Sequence, residues 1–349
     1  MSSRKSIVKP IGVIGAGSFG TAIANILAEK NDVLLYARNL QTVNNINKTH
    51  ISSGQNLLPN VLAINDLKGL AASCDIIFPI VPSSNFREMM KDLSDFLNPY
   101  HILIHGTKGL DVSTQEGIET LKLLNRQQVK TMSEIIREES VVVRVGCLAG
   151  PNLAMELADK QPAATVVASH FDEVIEEGMK LLRNDRFRVY GSKDLIGVEL
   201  CGVLKNIIAI ASGALNGMGY GENARALLVS RGMVEMIYLG KALGGNIAAF
   251  LGLAGIGDLV ATCSSTLSRN FSVGYRLAQG EKLPAILDSM EEVAEGVNTI
   301  KITKKLADFY NVRSPILETL HKVLFEDLTV EEALYNLMKF PLNVDIDFM

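Results

Sequence analysis

Ile11-Gly12-Val13-Ile14-Gly15-Ala16-Gly17-Ser18-Phe19-Gly20 is the stretch on which the fold turns. An apolar, strand-like run ends in three glycines spaced G-x-G-x-x-G, and helix-compatible residues, Thr21 to Ala28, follow. Gly15 allows a tight turn, Gly17 lets backbone approach a pyrophosphate, and Gly20 lets helix and strand pack closely. The helix start then offers free N–H donors and a partial positive charge to phosphates. The plainer alternative is a glycine turn that only packs a strand on a helix. The correct flanks on both sides favour a dinucleotide site.

Outward from that turn, the first half of the chain alternates short β-rich runs with helical stretches. Strands are predicted at Ile11–Ile14, Val33–Tyr36, Val61–Ile64, Ile76–Val81, His101–His105, Val141–Val145, Thr165–Ala168 and Phe187–Tyr190. Helical periodicity marks segments such as Asn85–Phe96 and Asp172–Leu182. This alternation predicts a doubly wound, mainly parallel sheet covered on both faces, with ligands beyond the carboxyl ends of the strands. Near Gly191–Lys193 the texture changes, and helical periodicity dominates to the C-terminus. The expected organisation is therefore a Rossmann-like α/β domain over 1–192 and an all-helical domain over 193–349. Helices are predicted at Asp194–Leu215, Asn223–Leu243, Phe271–Gln279, Asn298–Phe309 and Pro315–Phe325, with glycine-rich breaks at Met218–Gly221 and Gly252–Gly257. The polar stretch Leu110–Ser140 reads as a solvated helix or helical pair on the periphery.

Bulk properties narrow the classes of function. The 349 residues are 48% hydrophobic and 21% charged, as for a globule long enough for two domains. A net charge of −4 gives no electrostatic case for nucleic acid. No apolar run approaches the roughly 20 residues of a membrane span, so no integral membrane segment is expected. The short basic stretch Met1–Lys9 lacks the apolar core of a secretory signal. Cys74, Cys147, Cys201 and Cys263 are dispersed, without a C-x-x-C pair, and read as reduced thiols of a cytoplasmic protein. The five histidines are scattered as well, so no metal site is expected.

Candidate functional residues fall where strands end or helices begin. Arg38 follows the second strand where a NAD-selective site often carries an acid; arginine suits a 2′-phosphate or stacks on the adenine, which favours NADP or use of both cofactors, a solvated surface arginine being the alternative. Pro82-Ser83-Ser84-Asn85 is explained by helix capping alone. Lys108 stands between Gly106 and Gly109 at a strand end, where it could reach a phosphate or carbonyl oxygen; a surface loop lysine is the alternative. His105, just before it, reads as an inward-facing core histidine. Gly150 and Pro151 punctuate a strand end, and Asn152 suits a helix cap. In the first long helix Glu199, Lys205 and Asn206 interrupt an apolar, small-residue sequence. A buried lysine is costly unless paired, which singles out Lys205. Asp258, set in Gly255-Ile256-Gly257-Asp258-Leu259, is the acid that could orient it; capping the next helix is its alternative role. Ser268-Arg269-Asn270 at a helix start makes a phosphate cradle. Glu295, before the helix of Asn298, is explained by helix-dipole complementarity alone.

Taken together these motifs resemble the soluble NAD(P)-dependent glycerol-3-phosphate dehydrogenases from Ile11 to about Thr299. The matching pieces are GAGSFGTAIA, TKGL at 107–110, GPNLAMELA from Gly150, GVLKNIIAIASG around Lys205, GLAGIGDLV with Asp258, SRN at 268–270 and AEGVNT at 294–299. The resemblance implies reduction of dihydroxyacetone phosphate to sn-glycerol 3-phosphate, the precursor of glycerophospholipids, by a Rossmann domain joined to a helical substrate domain. It implies Lys205 as catalytic lysine, Lys108 as second active-site lysine and Asp258 as their aspartate. Ser268, Arg269 and Asn270 match the substrate-phosphate group, with Arg269 also near the cofactor. Ser18, Phe19, Arg38, Ala154, Val293 and Glu295 match cofactor contacts, and Gly150 a substrate contact. Asn152 stands where the family often has serine or threonine, and Leu110–Ser140 is longer than usual. The small-residue helices allow a homodimer face. The rival readings are a related Rossmann dehydrogenase acting on a hydroxy acid and a non-catalytic nucleotide sensor.

Overall fold

The computed structural model describes residues 9–112, 120–290 and 292–341. Its first part carries strands β1 (Ile11–Ile14), β2 (Val33–Tyr36), β3 (Ile51–Ser52), β4 (Gln55–Asn56), β5 (Val61–Ile64), β6 (Ile76–Pro79), β7 (Ile102–His105), β8 (Asp111–Val112), β9 (Val129–Lys130), β10 (Arg144–Ala149), β11 (Ala163–Ser169) and β12 (Phe187–Ser192). Among them lie helices α1 (Ser18–Ala28), α2 (Leu40–Thr49), α3 (Leu67–Ser73), α4 (Ser83–Ser94), α5 (Met132–Glu139), α6 (Ala154–Ala158) and α7 (Asp172–Leu182). The remainder is helical: α8 (Leu195–Gly217), α9 (Glu222–Ala242), α10 (Ile247–Leu251), α11 (Asp258–Ser264), α12 (Arg269–Ala278), α13 (Leu283–Asp288), α14 (Glu295–Phe309), α15 (Pro315–Phe325) and α16 (Val330–Met338).

Eight strands form one sheet in the order β12-β11-β10-β7-β6-β1-β2-β5, and only the β10–β11 pair is antiparallel. Because β1, β6, β7 and β10 run parallel, the residues after each of them emerge at one edge of the sheet. The chain leaves β1 toward β2 on one side and returns to β6 on the other, so the topological switch point lies between β1 and β6. All four residues of β1 are buried, as a central strand covered on both faces requires.

The helix of Lys205 organises the second part. α8 begins at the Asp194 cap, whose carboxylate accepts from Gly197 N at 2.9 Å. Its 23 residues have the length and apolarity of a membrane-crossing segment, an 18-residue window of them having a mean hydropathy of 1.7, which the sequence reading did not pick out. Protein covers it instead: 94% of that apolar window is buried. Glycine makes the closest approach possible. A Cβ on Gly213 would lie 1.9 Å from Phe271 O, and one on Gly274 would lie 1.8 Å from Ile210 O. Backbone therefore meets backbone where α8 crosses α12.

Three expectations are corrected. Of Leu110–Ser140, residues 113–119 lie outside the described residues, and the rest is mostly not helix. Asp111–Val112 pairs antiparallel with Val129–Lys130, and only Met132–Glu139 is helical. Nor is it peripheral: Leu124, Ile135 and Ile136 are fully buried, and Arg126 donates to Leu243 O at 3.1 Å in the helical part. A high polar count concealed an amphipathic helix and ion pairs made over long range. The strand expected at Val141–Val145 runs from Arg144 to Ala149, because pairing with β7 continues through Gly146 and Cys147. Gly252–Gly257 is not a plain break: Leu253–Gly257 forms a π-helical turn that runs into α11.

Candidate active site

Lys205 lies on α8 among buried residues and is itself only 6% exposed. Its ammonium donates to Asp258 Oδ1 at 2.7 Å and to the hydroxyl of Thr262. Lys108, three residues past the end of β7, donates to Asp258 Oδ2 at 2.6 Å and to Gly150 O at 3.3 Å. One buried carboxylate thus bridges two ammonium groups that reach it from opposite parts of the chain. Asp258 is the first residue of α11, and Thr262 follows one turn later, donating to Asp258 O at 2.6 Å. Asp258 therefore orients the lysines and does not serve as a side-chain cap.

The electrostatics follow from burial and company. Removal from water would raise the Asp258 carboxyl, but the two lysines outweigh it and hold the pKa below the usual carboxylate value. Burial pulls the Lys205 ammonium down to about 8, against the attraction of Asp258 and with help from the Lys108 charge. A lysine near 8 exchanges its proton readily around neutrality.

Lys108 is placed by glycines. A Cβ on Gly202 would meet the Lys108 stem at 3.3 Å, and one on Gly109 would lie 2.3 Å from Ser83 Cβ. The side chain therefore crosses α8 at Gly202, one turn before Lys205. Ser83 starts α4 and is capped from the helical part: Glu295 accepts from Ser83 N at 2.8 Å and from its hydroxyl. Burial raises the Glu295 carboxyl despite those bonds.

The glycine-rich turn fits a dinucleotide. Gly15 has φ +119°, and a Cβ there would lie 2.1 Å from Ile80 O. A Cβ on Gly20 would lie 1.9 Å from Gly15 O, so both glycines are required by the turn itself. Apart from its chain neighbours, a Cβ on Gly17 would meet none of the described residues within 4 Å, so their packing does not explain that glycine, whereas close approach of a phosphate does. Phe19 packs beside this turn, 2.9 Å from where a Cβ on Gly106 would lie. Ser18, the first residue of α1, donates through its hydroxyl to Glu292 Oε1 at 2.6 Å.

Glu292 also pairs with Arg269 Nε at 3.1 Å, and Arg269 donates to Val293 O at 3.3 Å. The α12 start thereby meets the α1 start. Ser268 caps α12 through Phe271 N at 3.3 Å, and Asn270 accepts from Gly296 N at 2.9 Å at the start of α14. Both are buried, whereas the Arg269 side chain is 44% exposed. Gly150 (φ +158°) turns the chain after β10 and presents its carbonyl to Lys108. Asn152 is engaged with β11: it donates to Ala164 O at 3.0 Å and accepts from Thr165 Oγ1 at 2.8 Å. Ala154 opens the short helix α6, and Arg38 stands exposed after β2; neither joins the lysine cluster.

His105 is the buried core histidine expected, with Nε2 3.0 Å from Glu199 Oε1. Thr262 escaped the sequence reading, which also gave no site role to Gly202, in the piece around Lys205, or to Glu292, one of the acids before a helix. Thr262 was within reach of it, since a position four past Asp258 shares a helix face. The contacts of Glu292 depend on long-range packing that no local spacing encodes.

Two family models cover nearly the whole chain. The N-terminal model of NAD-dependent glycerol-3-phosphate dehydrogenase matches residues 10–175, and the C-terminal model matches 194–335. The chain belongs to the NAD-dependent glycerol-3-phosphate dehydrogenase family. It is 40% identical over 347 residues to glycerol-3-phosphate dehydrogenase [NAD(P)+] of Pseudomonas putida, covering 98% of this chain and 97% of the relative. It is 40% identical over 337 residues to the protein of that name from Staphylococcus saprophyticus, covering 94% and 97%. The crystal structure of glycerol-3-phosphate dehydrogenase from Coxiella burnetii superposes with a TM-score of 0.86 at 32% identity, covering 95% of this chain and 99% of the other. The Rossmann-like sheet with a helical C-terminal part is thus the family's fold.

Proposed function

We propose that the chain is an NAD(P)-dependent glycerol-3-phosphate dehydrogenase, reducing dihydroxyacetone phosphate to sn-glycerol 3-phosphate reversibly, with Lys205 as proton donor. The observation that carries this reading is the buried Lys205–Asp258–Lys108 cluster at the sheet edge that also bears the glycine-rich turn. A cationic proton donor beside a carbonyl oxygen answers the charge that develops there during reduction.

The residues that would hold the cofactor are Gly15, Gly17 and Gly20 with the start of α1 for the pyrophosphate, and Ser18, Phe19, Arg38, Lys108, Ala154, Arg269, Val293 and Glu295 around them. The nicotinamide supplies a hydride when bound. Arg38 supports a preference for NADPH, through its charge at the end of β2. Lys205 gives its proton to the carbonyl oxygen, and takes it back in the reverse direction. Asp258 holds Lys205 in place, and Lys108 adds positive charge on the oxygen's side. Ser268, Arg269 and Asn270, with the N–H groups at the start of α12, take the remote phosphate, whose binding aligns the carbonyl. Gly150 and Asn152 border the three-carbon chain, Asn152 chiefly by bracing β11. We assign the nucleotide unit to residues 1–192 and the substrate unit to 193–349, working in the cytoplasm; four buried free thiols support that compartment.

Initial rates on dihydroxyacetone phosphate with NADPH and with NADH, read from absorbance of the reduced nicotinamide, test the reading. Turnover with the phosphorylated ketone is expected. Turnover only on a hydroxy acid such as a phosphogluconate, or none with either cofactor, would overturn it.

A further inference from the structure

Outside the lysine cluster, the described residues hold a buried carboxylate against a buried imidazole close to it. Glu199 lies on α8 with its side chain 3% exposed, against His105 with its side chain 2% exposed. Its Oε1 is 3.0 Å from His105 Nε2 and accepts from Ser133 N at 2.9 Å, and its Oε2 accepts from Ser133 Oγ at 2.6 Å. Ser133 lies in the first turn of α5, so an otherwise open N–H at that helix end meets the carboxylate. Burial alone would raise this carboxyl, yet the bonds from His105 and Ser133 hold it below its ordinary value. His105 Nδ1 is buried without a partner among the described residues. Such a group is costly, and stability alone rarely favours a buried polar pair over an apolar one. Fixing one element against another is the best-attested use of such a pair.

We propose that Glu199 is a positioning residue for the two-lysine centre, holding the strand end that carries Lys108 in register with the helix that carries Lys205. This rests on the role of the lysines proposed above. Glu199, Gly202 and Lys205 are spaced i, i+3, i+6 along α8 and lie close to one face. The run from His105 to Lys108 meets that face at successive points. His105 bonds Glu199, and the Lys108 stem lies on Gly202. The Lys108 ammonium then shares Asp258 with Lys205. Sliding either element by one residue would break all three contacts. The excursion between β7 and β10 gains a purpose from this: it returns α5, whose first turn keeps Glu199 charged.

The test compares E199A, E199Q and H105L with the wild type in the full-length enzyme. Among the described residues, the charged and titratable groups acting on Lys205 are Asp258 and Cys263 of α11, and Lys108. Loosening Lys108 from Asp258 removes a charge that lowers Lys205. With the two lysines out of register, E199A should lose about 10²-fold in kcat, the scale of a misplacement near one ångström. Its pH limb near 8 should move upward, while the NADPH Kd from fluorescence titration stays within about two-fold. E199Q, which keeps shape and acceptor, should restore most of the rate, and H105L should behave as a milder E199A. Folded E199A and H105L with wild-type kcat and an unmoved pH limb would overturn the proposal, as would losses that track melting temperature alone. If E199A does not fold, E199Q and H105L decide the matter by the same two readouts. Failure of the underlying reading shows separately, as K205A retaining turnover.

Discussion

Lys108 and Lys205 are held by the same carboxylate, at 2.6 and 2.7 Å from the two oxygens of Asp258. Each lysine is thereby fixed relative to the other, although 97 positions separate them in the sequence (205 − 108 = 97). D258N keeps the shape of this junction but removes its charge. Breaking a buried ion pair by removing one partner costs about 3–5 kcal/mol. D258N should melt several degrees lower and lose at least about 100-fold in kcat, with a smaller change in KM. Circular dichroism melting and steady-state rates measure both; a stable variant with normal kcat would contradict the shared-carboxylate arrangement.

The pH dependence follows from Lys205, whose pKa burial lowers to about 8. Reduction needs the ammonium, so its kcat should fall as pH rises through about 8. Oxidation of the alcohol needs the neutral amine, so its kcat should rise through the same point. K108M removes a neighbouring positive charge and should move both limbs upward. The same shift has a stability consequence of definite sign. A folded pKa below the unfolded value of 10.5 means that this group's contribution is present above 10.5 and lost as pH falls through about 8. Rate profiles in both directions check the assignment; limbs unmoved by K108M would refute the coupling of the two lysines.

Packing far from the chemistry should also reach the substrate. Gly274 allows α12 to touch the α8 backbone, since a Cβ there would stand 1.8 Å from Ile210 O. G274A must push the helices apart. Overpacking of this kind costs about 1–3 kcal/mol. Because Ser268 to Asn270 begin the same helix, G274A should raise the KM for dihydroxyacetone phosphate along with lowering the melting temperature. An unchanged KM in the folded variant would show that the phosphate is held elsewhere.

Much of this architecture could be read from residues alone. The glycine spacing at 15–20 and the alternation of β-rich runs specify a doubly wound sheet, because each signal is local. Lys205 stood out because a charge in a greasy helix is expensive wherever it lies. Asp258 was placed correctly beside it by the same argument. What stayed hidden depends on distance in the fold. The lining of the site by Gly202 required knowing that Lys108 crosses α8 there. The segment around Arg126 looked solvated because its partners, Glu134 and the Leu243 carbonyl, come together only after folding. Asn152 suited a cap on local grounds, but its amide braces β11.

Glu292 joins the two ligand regions by accepting from Ser18 and pairing with Arg269. A carboxylate at the start of α1 competes with a pyrophosphate for the same donors, and it also engages the arginine proposed for the substrate phosphate. E292Q should therefore tighten NADPH binding by about three- to five-fold, the scale of a half-exposed ion pair of up to about 1 kcal/mol. Fluorescence titration of the cofactor reads this directly. Weaker binding in E292Q would mean that the carboxylate assists the dinucleotide instead of competing with it.

The most direct measurement is single-turnover oxidation of NADPH by K205A with dihydroxyacetone phosphate, alongside NADPH binding by the same protein. The account predicts a rate reduced by about 10²–10⁴-fold, the usual contribution of a positioned acid, with the cofactor Kd within two-fold of wild type. A near-normal rate in that variant would contradict the account, because Lys205 would not be the group that gives the proton.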